Sequence, residues 1–424
     1  MSKILYYLKS PFLLAALVCA IFFYTGLVPV RQKNLYASPV PIEGVIWISG
    51  AVSSNPLKSS SGKTYTAKIR LREVKSSGEN MMIKSRASGD VTVRLPSSIV
   101  ESVYPGKLYS ISKGSVLVEE GEILSCDGRW SESQGAFVVD SIVHEGHGGG
   151  FWGELMHFRA MCRLVFKRLM FSWGLAGGLV LSLLSGSREY LEDGIGDSFR
   201  LAGLSHILAL SGMHLSFFSS IVGGVGRRFG KRVVPLFQLL GILFFVWFAG
   251  LSPSLFRALL CSLITLTAKF VFCRKVDTLE VLACTFILHS VIIPNDMFSV
   301  AFMLSYGALA GILVFSDLIN RLVSPVVPPQ ISGSLSASTG AQIATCPISV
   351  GVFGSFAPIG ILSTVIISPL ISFFITLSLL FIIFSFALPF LSPFFGDIMN
   401  VMYGLVAGIV RFFARVPPVQ ISDF

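Results

Sequence analysis

Apolar and polar positions follow two rhythms along this chain, and the change of rhythm divides it. From about residue 31 to 148, stretches such as EGVIWISGAV, KTYTAKIRLREV, GDVTVRLP, KLYSISKGSVLVEE and GAFVVDSIVHEG alternate with period two. Ser, Gly, Asn and Pro clusters separate them. Successive side chains of a strand point to opposite faces, so the pattern predicts about five or six short, half-buried strands. A small closed barrel of the OB type fits such a region. The HEGHGGG that follows reads as a flexible linker.

On either side the pattern turns continuously apolar. MSKILYYLKS places Lys3 and Lys9 ahead of PFLLAALVCAIFFYTGLVPV, with no small-x-small cleavage site close behind. Residues 1–30 therefore read as an uncleaved anchor, with the next region outside the cell membrane. Further apolar segments fall near 172–187, 202–225, 233–251, 254–273, 278–294, 299–319, 338–354, 357–388 and 397–416. Crossing the hydrocarbon core takes roughly 20 apolar residues. The 357–388 run exceeds one crossing and contains Pro369, which predicts a kink or two half-helices. The fold class expected is a predominantly α-helical polytopic membrane protein with an N-terminal extracytoplasmic, OB-like small β-barrel. Its divisions are an anchor (1–30), a β-rich domain (31–148), an amphipathic helix (149–171) and a transmembrane domain (172–424).

The amphipathic helix, FWGELMHFRAMCRLVFKRLM, carries Arg159, Arg163 and Lys167 at i, i+4 and i+8, with Met156, Cys162 and Phe166 read as its apolar side. That spacing predicts a helix lying on the membrane surface. Its basic row is either a juxtamembrane stop or a face for lipid or DNA phosphates.

Composition sharpens the membrane reading. Only 13% of the residues are charged and 36 are Phe, against about 25% charged in soluble domains. The net charge is +10, part of which is the cytoplasmic bias of basic residues. The clusters Arg227/Arg228/Lys231/Arg232 and Arg274/Lys275, with Arg321, recur at every second boundary and belong together on the cytoplasmic side. An external β-domain then requires an odd number of crossings before Arg227, whereas 172–187 and 202–225 supply two. Either the amphipathic helix dips through or one segment breaks, and Gly212 offers a breaking point. Of the cysteines only Cys126 lies in the polar region, so no disulfide can form within it, and no CxxC occurs.

One apolar segment carries unusual chemistry. GLSHILALSGMHLSF, Gly203 to Phe217, holds two histidines and three serines. Ionisable groups at such depth usually face a bundle interior or a wet path. Plain hydrogen bonding to a neighbouring helix explains His206 and His214 equally. His289 reads as interfacial. A metal site lacks further ligands and HExxH is absent, so no metal or cofactor is expected. A serine hydrolase using Ser211 needs a histidine base from a later helix, for which His289 is the candidate. A permeation path fits Ser205, His206, Ser211 and His214 beside Gly203 and Gly212, which allow close helix approach. A small-molecule transporter is a further alternative.

At these residues the chain resembles the ComEC-type competence family, whose hallmark is a GLSHLLAISGLHV-like segment. LVLSLLSGSREYLEDGIGDSFRLAG, LSPSLFRALLCSLI with Arg257, IIPNDMFSVAFMLSYGALAGIL with Ser305, and TCPISVGVFGSFAPIGILSTVIISPL with Thr364 follow the family's order. Ala301 and Met303 replace the family's Gly and Gln, and Thr364 stands where Asn is usual. The resemblance implies a multi-pass inner-membrane channel, not an enzyme, that passes single-stranded DNA inward during transformation. The path it implies is lined by Gly203, Ser205, His206, Ser211, Gly212, His214, Arg257, Ser305 and Thr364. Arg200, Arg257, Lys68, Arg70 and Arg72 are the candidate DNA contacts. Implied partners are single-stranded DNA, membrane lipid, an outside DNA receptor and an inside ATP-driven helicase or translocase, since no GxxxxGK[ST] occurs; self-association is admitted. Many members continue into a metallo-β-lactamase-like domain; its ligands are absent before Phe424, so no nuclease activity is expected.

Overall fold

The computed structural model describes residues 10–25, 36–59, 62–77, 82–105, 116–270 and 276–420. Lys3, Lys9, Cys273, Arg274, Lys275 and positions 107–115 of one expected strand lie outside them. The chain divides into two compact units: residues 31–191 with 390–400, and residues 1–30 with 192–389 and 401–424.

The first unit is built on strands β1 (Val45–Val52), β2 (Leu57–Lys58), β3 (Thr64–Ser77), β4 (Met82–Arg86), β5 (Asp90–Pro96), β6 (Glu122–Ser131) and β7 (Ala136–His147), with a short helix α2 (Ser97–Glu101) after β5. (Helix α1, Pro11–Tyr24, belongs to the other unit.) β3 pairs antiparallel with β1 and β5, β6 with β1 and β7, while β5 and β7 run parallel. The pairings thus return to their starting strand, in the order β1-β3-β5-β7-β6-β1. Alternation drives this: in β5 every second residue is buried, and Val91, Val93 and Leu95 join Ile48, Tyr65, Ile69, Leu124 and Phe137 in one core. β6 was not among the expected strands, because its first five residues are all buried and break period two. The expected linker is also corrected: β7 continues to His147, and both His144 and His147 are bonded.

Helix α3 (Gly150–Ser172) seals this core with Ala160 and Leu164. Its basic row is turned inward, which overturns the expected phosphate- or lipid-facing role. Arg163 donates from Nε to Glu119 at 2.9 Å and from Nη2 to Ser187 at 2.9 Å. Lys167 donates to Glu119 at 2.5 Å and Glu189 at 2.7 Å. Arg159 pairs with Glu120 at 2.6 Å, and Arg168 donates twice to the Val103 carbonyl. Phe166, assigned to the apolar side, is buried with them. Burial alone would raise the Glu119 carboxyl, but Lys167 and Arg163 outweigh it and hold it at about 2. At the helix's other end Glu122, fully buried, bonds His144 at 2.7 Å and His157 at 2.9 Å. The Cys126 thiol is pushed up to about 12 by burial, then by Asp127 and Glu145, so it is a packing residue and not a nucleophile.

Helix α4 (Gly174–Ser185) covers the 172–187 segment expected to cross the membrane. Every residue from Ala176 to Ser185 is buried, and at 12 residues it reaches only about 18 Å. Its start is tied to residues of the 390–400 segment: Trp173 Nε1 donates to Ser392 at 3.0 Å, and the Ala176 N–H to Asn400 at 3.0 Å.

The second unit is helical: α1, α5 (Ile195–Leu201), α6 (Ser205–Leu208), α7 (Gly212–Gly226), α8 (Val234–Ala249), α9 (Pro253–Phe270), α10 (Thr278–Ile292), α11 (Val300–Val323), α12 (Pro329–Phe353), α13 (Gly360–Ala387) and the later part of α14 (Ser392–Phe413). A two-stranded ribbon of β8 (Ser355–Phe356) and β9 (Val419–Gln420) completes it. Among the described residues, four helical stretches are long and apolar enough to cross a membrane: α9, α11, α13 and Pro389–Phe413. α13 runs unbroken through Pro369, so the expected half-helices do not form; the proline removes one backbone bond and crowds the carbonyl four residues back, and the helix continues past it. α1 packs on α10 and the turn after it: Tyr24 Oη donates to the Met297 carbonyl of that turn at 2.9 Å, and Phe23 joins Leu279 and Leu282 of α10 and Phe302 of α11. α11 and α12 touch backbone to backbone, since a Cβ on Gly311 would fall 2.3 Å from the Gly340 oxygen. Small residues allow such contact where lipid supplies no hydrophobic drive between helices.

Candidate functional site

The GLSHILALSGMHLSF stretch does not form one helix. α6 ends at Leu208, Ala209 turns extended (ψ 136°), and α7 restarts after Ser211 (φ −131°, ψ 169°). Gly203 makes the turn before it with φ +72°, and a Cβ there would lie 2.6 Å from the Gly360 Cα. The loop is thereby pressed against the start of α13, where Ser363 donates to the Ala202 carbonyl at 2.7 Å. No side chain fits between these two backbones.

The break is held by its own histidine. The Ser211 N–H donates to His214 Nδ1 at 3.2 Å, and Ser211 Oγ lies 3.1 Å from the same nitrogen. A nitrogen that accepts carries no proton, so the ring proton sits on Nε2. His214 is buried and its Nε2 has no partner. A buried donor left unmade costs about 1–3 kcal/mol. An orphan of this kind asks for a function.

α9 brings the second unusual group to the same place. A Cβ on Gly212 would meet Ala258 at 3.3 Å and Arg257 Nη2 at 3.9 Å. The half-buried Arg257 lies over the Tyr306 ring (5.9 Å to its centroid), its Nε has no hydrogen-bond partner, and no carboxylate pairs with it among the described residues. Tyr306 in turn sits on a buried chain. Its hydroxyl donates to the Thr285 carbonyl at 3.2 Å and lies 3.2 Å from His289 Nδ1, while His289 Nε2 faces Asp296 at 3.1 Å. His289, expected at an interface, is fully buried between Phe256 and Phe302.

One turn further along α9 lies a cavity of about 250 Å³ between α7, α8 and α9, lined by Ser219, Gln238, Cys261, Ser262 and Thr265 among others. Sequence reasoning missed it. The signal was present: Ser254, Arg257, Cys261, Ser262, Thr265 and Lys269 recur at helical spacing along one side of an apolar segment.

Ser205 and His206 are exposed on α6 and Ser305 is half-buried on α11. Thr364 donates to the Gly360 carbonyl of its own helix at 2.6 Å. Arg200 is on the surface, paired with Asp197 at 3.4 Å, and does not join the break. Arg227, Arg228, Lys231 and Arg232 are exposed where α7 turns into α8. In the β-unit Lys68, Arg70 and Arg72 stand exposed on one face of β3, with Arg70 bonded to Asp90 at 3.2 Å.

Comparison with known proteins points one way. A stretch of 199 residues is 26% identical to ComE operon protein 3 of Bacillus subtilis (strain 168), covering 46% of this chain and 25% of that one. A stretch of 242 residues is 28% identical to an uncharacterized protein of Aquifex aeolicus (strain VF5), covering 57% of this chain and 55% of that one. The chain thus spans between a quarter and about half the length of these curated relatives. No solved structure matches it. Residues 183–423, which include the break, Arg257 and the cavity, match the Competence protein family, and the chain belongs to that family.

Proposed function

We propose that this protein acts in DNA uptake during natural transformation, as a multi-pass channel of the inner (cytoplasmic) membrane that passes single-stranded DNA to the cytoplasm. The observation that carries the reading is that two residues with uncompensated donors, His214 and Arg257, sit beside the helix break at Gly212. The His214 Nε2–H and the Arg257 guanidinium both lack a protein acceptor for at least one N–H. A phosphodiester oxygen is the acceptor that both lack, and charge-assisted bonds to it are the strong kind. A strand moving past needs a positive groove that grips each phosphate without locking it. One guanidinium and one neutral imidazole supply that, and the Ser/Thr/Gln-lined cavity beyond keeps the path wet. Helices α7 and α8 part from α9 to admit the strand.

In the β-unit, the closed strand order with a helix between β5 and β6 supports an OB-like domain outside the membrane. Its Lys68, Arg70 and Arg72 row receives incoming DNA. A DNA receptor outside and an ATP-driven translocase inside complete the pathway, and self-association would widen the conduit.

The test is uptake of labelled DNA by cells lacking the native protein, scored separately for surface binding and internalisation. Arg257→Ala and His214→Ala each reduce internalisation at least about tenfold, the loss of one charge-assisted bond, and leave binding intact. Internalisation at wild-type levels in both variants overturns the reading. The rival, a serine hydrolase, gains one observation, the 3.1 Å approach of Ser211 to His214. A catalytic base is oriented by a third group, and none bonds Nε2 here. Ser211→Ala abolishes turnover in a hydrolase, whereas a channel keeps most of its transport.

A further inference from the structure

The amphipathic helix α3 is inside out. Its charged side is buried against the β-unit, as described above, and the outward side carries Phe151, Trp152 and Phe158, exposed to 75%, 74% and 60%. Leu155, Cys162 and Val165 continue that side at helical spacing and are only half-buried. An exposed aromatic row of this size on a soluble domain marks an interaction surface.

We propose that α3 lies flat on the bilayer with this row seated among the phospholipid headgroups and upper acyl chains, anchoring the β-unit to the membrane surface. Three observations select lipid over a protein partner. The helix leads into Trp173, whose indole bonds Ser392 at the start of the Pro389–Phe413 span; the start of a span is the membrane interface. The row ends in Trp and Phe, the residues that favour that depth. The opposite side of α3 meets the β-unit along its whole length, from Gly121 against Met156 to Val103 against Arg168. A spanning orientation would drag charged strands into hydrocarbon, so the helix lies in the plane. The basic residues then serve as the rivet to the β-unit, and the apolar ones as the foot.

The proposal needs the chain only to be a membrane protein, so it stands or falls apart from DNA uptake. The experiment is fluorescence of the full chain in phosphatidylcholine vesicles brominated at a shallow or a deep acyl position. The Trp152 component is the difference between wild type and Trp152→Phe. Shallow bromines quench it more than deep ones, and aqueous acrylamide quenches it little. Moving the probe, Phe158→Trp in the Trp152→Phe background, gives the same pattern. Quenching by acrylamide without bromine quenching overturns the proposal in favour of a water-exposed face. Quenching by neither overturns it in favour of a protein cover.

Discussion

Two cationic sites lie inside this protein, and they are built in opposite ways. In the β-unit Arg163 and Lys167 are almost wholly buried, yet Glu119 and Glu189 answer them and every distance is short. In the helical unit Arg257 lies over an aromatic ring with no carboxylate among the described residues. Paired buried charges are a structural solution, because removing one partner strands the other. An unpaired one is an expense that folding alone does not justify. The same side-chain chemistry is therefore a fastening in one unit and an unanswered charge in the other.

Breaking the fastening has the largest effect. Glu119→Gln leaves Arg163 and Lys167 short of their shared counter-charge, and costs on the order of 3–5 kcal/mol. Thermal unfolding followed by protease sensitivity of the β-unit reads this, and a melting point equal to wild type would refute the fastening. Next comes Gly203→Ala, where a methyl group meets the Gly360 backbone at a positive φ. That backbone strain costs roughly 1–3 kcal/mol, read as a lower melting temperature together with lost DNA internalisation.

Acid sharpens the contrast. Glu119 is held at about 2 when folded, against 4.5 as its ordinary value. Its folded value is depressed, so its contribution is complete above the ordinary value and is lost as pH falls from there toward 2. Melting of wild type therefore declines steeply below pH 4.5, and Glu119→Gln flattens that decline. The smallest effect on stability is at the other site. Arg257→Met removes a charge that nothing pairs, so unfolding shifts by less than about 1 kcal/mol while internalisation fails. A large destabilisation there would make Arg257 a second fastening and erase the comparison.

Much of this was legible in the residues. Alternation marked β1, β3, β5 and β7, and Gly212 offered a breaking point in the Gly203–Phe217 stretch, beside which the chain does break. The misreadings share a cause. The first half of strand β6 and helix α4 from Ala176 onward are buried residue after residue, so neither shows a periodicity that distinguishes one face. The basic row of α3 read as outward because a pattern reports two unlike faces and not which one is covered. Deciding that needs Glu119 and Glu189, far away in sequence. His289 was misplaced likewise, since Asp296 and Tyr306 become its partners only once α10, the following turn and α11 fold together.

Helix α1 settles against α10 across a gap of 270 residues, from Ser10 to Glu280. At a synthesis speed of about 5–20 residues per second, its docking site emerges roughly 15–55 s after it does. Through that interval the helix lacks its docking site, while the whole β-unit is made. Assembly of the helical unit is therefore a delayed meeting of its first helix with one made some 270 residues later.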